Sequence, residues 1–138
     1  MPDQTTRRTA GQLAATVVLL ALLAGCGADQ TTGPSAARVK ADLLARVNKT
    51  YQGLMETRHF EIDQRKTLGK DLVKFRVVVA YAPNDKRIEQ YKEKYGAGGH
   101  NKVFMAKHAG TGQDKLTVRY QQHGKQDWRI GRVRKGFQ

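Results

Sequence analysis

The sequence predicts an α+β domain: an N-terminal amphipathic helix packed across a four- to five-stranded antiparallel sheet. Three observations predict it. Apolar residues recur at helical spacing through residues 36–57. Beyond residue 58 the apolar period changes to two. Short polar turns then separate one alternating run from the next, which suits hairpin-connected strands.

The helix comes first. Ser35 follows Pro34 and precedes Ala36-Ala37, the place of an N-cap. Val39, Leu43, Val47, Tyr51 and Leu54 follow at spacings of four and three, widened by Leu44 and Met55. Arg38, Asp42, Arg46, Lys49 and Gln52 lie largely off this stripe, so residues 36–57 read as one amphipathic helix, weakened in its last turn by Gly53. Phe60 and Ile62, alternating with Glu61 and Asp63, begin a strand reaching about Leu68, and Gly69-Lys70-Asp71 is a turn. In the strongest strand Val73, Phe75, Val77, Val79 and Tyr81 form one face and Leu72, Lys74, Arg76, Val78 and Ala80 the other. Ala82-Pro83-Asn84-Asp85 ends it. Residues 84–95 suit a polar helix capped by Asn84 or Asp85, with Ile88, Tyr91 and Tyr95 on one side, and the glycines at 96, 98 and 99 break it.

Three more strands are expected. Val103 to Ala109 is one, ended by Gly110-Thr111-Gly112. Leu116, Val118 and Tyr120 mark the next, with Arg119 and Gln121 on a wetter side. After a turn at His123-Gly124-Lys125, Trp128 and Ile130 open the last, which runs to about Arg134. The closing segment from Thr117 to Ile130, with its polar turn followed by a tryptophan and an aliphatic residue, resembles the final hairpin of cystatin-like and NTF2-like small domains. That resemblance implies the same outline, a helix followed by sheet strands. Members of such folds range from enzymes to inert binding modules, so it implies no particular activity.

The N-terminus carries the clearest address. Arg7 and Arg8 precede an apolar run over residues 13–24, and Leu23-Ala24-Gly25-Cys26 closes it. Charged start, apolar core and small residues before a cleavage point make a secretory signal peptide of residues 1–25. A run of 12 residues spans only about 18 Å as a helix, too short for a hydrocarbon core of about 30 Å. The four residues ending at Cys26 resemble the lipobox of bacterial lipoproteins. The resemblance implies that Cys26, the single cysteine, becomes the first mature residue and carries thioether-linked lipid, with palmitate-type chains holding the protein to a membrane. It also implies a place in the cell envelope. In a two-membrane host Gly27 after the cysteine, rather than aspartate, favours the outer membrane facing the periplasm. Residues 26–34 then read as a flexible tether and residues 35–138 as one domain.

Charge narrows the partners. The chain has 25 Lys and Arg against 12 Asp and Glu, a net charge of +13. Without Arg7, Arg8 and Asp3 the mature chain keeps +12. Outside the cytoplasm the anions that such a field attracts are lipid head groups, lipopolysaccharide phosphates and acidic envelope proteins rather than nucleic acid. The anion-binding candidates are Arg129, Arg132, Arg134 and Lys135, with Arg132 and Arg134 expected on the strand face of Trp128 and Ile130.

Catalytic signals are weak. Ser35 is the only serine and serves as a cap, so no serine triad can form. His59, His100, His108 and His123 match no short metal motif, and the glycines at 96–99 lack the lysine that completes a phosphate loop. Glu61 and Asp63, two apart on a strand, are more simply solvated beside Arg65 and Lys66 than engaged in acid–base work. The sequence therefore favours a non-enzymatic, cofactor-free binding or scaffolding module. The alternatives are a small-ligand or enzymatic pocket lined by Phe60, Phe75, Tyr81, Tyr120 and Trp128, or an accessory lipoprotein of a secretion or conjugation apparatus.

Overall fold

The computed structural model describes residues 33–137. The expected signal peptide and Cys26 lie outside the described residues. Helix α1 spans Ala36–Tyr51, and Ser35 caps it by accepting a hydrogen bond from the Arg38 amide at 3.2 Å. Val39 and Leu43 are buried on its inner stripe. The helix stops six residues before the expected end. Gln52 adopts the left-handed conformation (φ 55°) and Gly53 follows at φ 78°, which reverses the chain. Leu54 then enters the core from the turn rather than from the helix. The Asn48 side chain fixes this reversal, accepting from the Met55 amide at 3.0 Å and donating to the Met55 carbonyl at 3.1 Å.

Strand β1 (Met55–Thr67) accordingly starts five residues earlier than its alternation suggested, and β2 spans Leu72–Pro83. Their hairpin closes where expected, the Leu68 amide donating to the Leu72 carbonyl at 2.8 Å. All five residues of the expected inner face of β2 are buried, from Val73 at 0% exposure to Tyr81 at 8%. Helix α2 (Asp85–Tyr95) is capped by Asn84, whose side chain accepts from the Arg87 amide at 3.0 Å.

A 3-10 turn over Gly96–Gly99 leads into helix α3, His100–Lys107. The strand expected from Val103 to Ala109 is thus mostly helix. A four-residue apolar run has no period of its own, and tertiary contacts select the helix: Val103 and Ala106, three apart, reach the core while Phe104 and Met105 stay exposed. Gly99 permits the close approach of α3 to α2, since a β-carbon there would lie 2.8 Å from the Tyr91 ring.

Strands β3 (Asp114–Gln122) and β4 (Trp128–Lys135) complete a four-stranded antiparallel sheet in the order β1-β2-β3-β4. The described residues form an α+β domain with four strands rather than five. The core fills the space between α1 and one sheet face, joined by Ile88 of α2 and by Val103 and Ala106 of α3. At its centre Phe75 and Tyr120 pack edge to face, 5.7 Å between ring centres.

Candidate anion-binding face and helix-side groove

Because residues paired across strands share a face, the register divides the sheet residue by residue. Val73, Phe75 and Val77 oppose Tyr120, Val118 and Leu116, and this face lies under the helix. The residues between them form the open face. One row across it is cationic on three consecutive strands: Lys66 pairs with Lys74, and Lys74 with Arg119. The pairs Val118–Val133 and Tyr120–Ile130 leave Arg119 opposite both Gly131 and Arg132, a bulge that brings Arg132 to the end of the row. The next row runs Gln64, Arg76, Thr117 and Arg134. Like charges facing each other on adjacent strands repel one another.

Phe137 sits on this face, with the Arg76 guanidinium and the Lys115 ammonium each 5.5 Å from its ring centre. The Arg76 Nε is buried with no hydrogen-bond partner among the described residues. The acidic residues of β1 stand at the edge of the face, Asp63 at the bulge beside Gln64 among them. Glu56 and Glu61 lie on edge strand β1, Glu61 3.7 Å from His59 Nε2.

The four residues singled out in the sequence do not act together. Arg132 and Arg134 belong to the open face. Arg134 opposes Thr117, not a core residue, because the bulge shifts the alternation after Ile130; it does not share the face of Trp128 and Ile130 as expected. Arg129 also opposes an open-face residue, Gln121, but its guanidinium pairs with Asp127 at 2.9 Å. Lys135 pairs with Leu116 and lies on the helix side, lining a groove. Lys66, Lys74, Arg76, Lys115 and Arg119 extend the cationic face well beyond the C-terminal cluster. The wet side of β2 and β3 was visible in the alternation, but the row appears only once strand register is known.

Around Phe75 and Tyr120, two of the five residues expected to line a pocket, the helix side is packed. Phe75 and Tyr120 are fully buried, and the Tyr120 hydroxyl donates to Asp42 at 2.9 Å, which also holds Arg38 at 2.9 Å. Burial and that hydrogen bond raise the Tyr120 pKa above its ordinary value. Space opens instead at the other end of α1. A groove of about 390 Å³ is lined by Leu43, Arg46 and Val47 of α1, Tyr81, and Asp114 and Lys135 at the strand ends. A second hollow of about 430 Å³, under the loop of residues 109–113, shares Val47, Tyr51, Tyr81, Asp114 and Lys135 with it.

Among the described residues no group of three or more His, Cys, Asp or Glu is placed to hold a metal ion. No described helix is long and apolar enough to cross a membrane. Comparison with protein-family models, with curated proteins and with solved structures finds no match.

Proposed function

We propose that this chain is a lipid-anchored lipoprotein of the bacterial cell envelope whose small domain, of cystatin-like or NTF2-like outline, is a non-enzymatic binding module for an anionic surface. In a two-membrane host it faces the periplasm from the outer membrane. The carrying observation is the cationic row Lys66–Lys74–Arg119–Arg132 on an open sheet face. Arg76 and Arg134 flank it in the next row.

The chain's entry to the domain supports the reading. Gly33 lies against Val73, Pro34 is buried, and Arg65 donates to the Pro34 carbonyl. The chain therefore joins the domain on the helix side of the sheet, at strand positions next in sequence to Lys66 and Lys74. Residues 26–32 reach at most about 24 Å from there, so a lipid on Cys26 keeps the cationic face within reach of the membrane that holds it. Tethering raises the local concentration to the order of millimolar, so each phosphate contact needs little affinity of its own.

Mass spectrometry of the protein from bacterial membranes is expected to find Cys26 at the amino terminus with a diacylglyceryl adduct. For the face, a C26S full chain is mixed with vesicles rich in anionic lipid. Binding is expected to fall at least about tenfold between 50 and 500 mM salt, as screening shortens to a few ångströms. The R119E/R132E pair is expected to weaken it further. Equal binding to neutral and anionic vesicles, insensitive to salt, would remove the anionic-surface reading.

A further inference from the structure

The groove at the C-terminal end of α1 combines features that the cationic face does not use. Its wall is apolar, with Leu43, Val47, Leu116 and Val133. Charges of opposite sign stand at its rim, Asp114 on β3 and Lys135 on β4, yet no ion pair joins them. Arg46 adds a second cation from the helix. Tyr81 lines the groove too, and its hydroxyl is buried without a hydrogen-bond partner among the described residues, in a residue only 8% exposed. Burial, reinforced by the negative charge of Asp114, pushes the Tyr81 pKa up to about 12, so it remains an O–H donor at neutral pH.

Each feature constrains an occupant. The donor needs an acceptor, because a buried hydroxyl left unbonded is unfavourable. Lys135 and Arg46 favour an anionic group in the same groove. A purely anionic ligand would meet repulsion from Asp114, and a purely cationic one from Lys135 and Arg46. An apolar ligand would leave Tyr81 and both rim charges unanswered. A molecule bearing an ammonium and a carboxylate on one carbon, with an apolar substituent for the wall, answers all of them. The volume fits a small molecule of that size.

We propose that this groove is a binding site for a small zwitterion of the α-amino-acid type, its carboxylate on Lys135 and the Tyr81 hydroxyl and its ammonium on Asp114. The site is independent of the cationic sheet face, which lies on the opposite side of the sheet.

Three probes of one shape test it: L-phenylalanine, 3-phenylpropionate, which lacks the ammonium, and 2-phenylethylamine, which lacks the carboxylate. Heteronuclear NMR titration of the full chain in detergent is expected to show L-phenylalanine shifting the Tyr81, Asp114 and Lys135 amides at millimolar concentration. The other two are expected to bind at least about tenfold more weakly. D114N should bring L-phenylalanine down to the level of 3-phenylpropionate, and Y81F should weaken it several-fold. Both variants keep the fold, because Asp114 is exposed and Y81F removes an unpartnered hydroxyl; their unperturbed spectra check this. Equal binding of all three probes, stronger 3-phenylpropionate binding by the unaltered protein, or no shifts in the groove with any probe up to 20 mM would overturn the proposal.

Discussion

The two faces of the sheet are built from the same strands and follow opposite rules. Under α1, β2 and β3 present Val73, Phe75, Val77, Val118 and Tyr120, each at 0% exposure. One residue along, the same strands present Lys74, Arg76, Arg119 and Lys115. The covered face gains stability by removing apolar area from water, at roughly 25 cal/mol per Å². The open face instead sets cations side by side on neighbouring strands, Lys66 by Lys74 and Lys74 by Arg119.

Variants on the two faces should separate these roles. On the covered face, Phe75→Ala removes a fully buried ring and its edge-to-face contact with Tyr120. It should lower the unfolding free energy by about 3–5 kcal/mol in denaturant titrations. An effect as small as that of an open-face change would erase the contrast.

The next effect depends on pH. Tyr81 is neutral when protonated, and its folded pKa of about 12 lies above the ordinary value of 10. Its contribution is therefore complete below pH 10 and is lost as pH rises from 10 towards 12, about 2–3 kcal/mol in all. Tyr81→Phe lacks that loss, so the two stability curves should diverge only above pH 10. Parallel curves would show that Tyr81 titrates normally.

Asn48 ties α1 to β1 and so holds the cover in place. Asn48→Ala should cost about 1–2 kcal/mol and speed hydrogen exchange at the α1–β1 turn. The smallest change belongs to the open face. Arg119→Gln relieves repulsion with Lys74 and should stabilise by about 0.2–1 kcal/mol at low salt, less at high salt. A loss of stability there would mean that the cationic row is held together inside the domain.

Local pattern carried much of this organisation. The four-residue spacing from Val39 to Tyr51 marks α1, and the strict alternation of Val73 to Tyr81 marks β2, because each run buries one side and period alone identifies it. Asn84 and Ser35 mark their helices because caps are local hydrogen bonds. The run Val103–Ala106 misled, since four apolar residues fit helix and strand alike. The helix end also misled. By local propensity Gly53 is only a weak last turn, whereas the bonds from Asn48 to Met55 make it the point of reversal. The candidate site was half readable. The sequence displays Lys74, Arg76 and Arg119 as a wet side, but it could not show which cations become neighbours.

The sequence by itself determined the starts of α1 and α2, the β1–β2 hairpin, the inner face of β2 and the excess of positive charge, all of which are written in local spacing and composition. Only the tertiary structure decided that residues 100–107 are helical, that a bulge at Gly131–Arg132 puts Arg134 on the open face and Lys135 on the helix side, and that three cations align across three strands. Those outcomes depend on register and packing between segments distant in the chain, where one residue's slip moves every side chain to the other face.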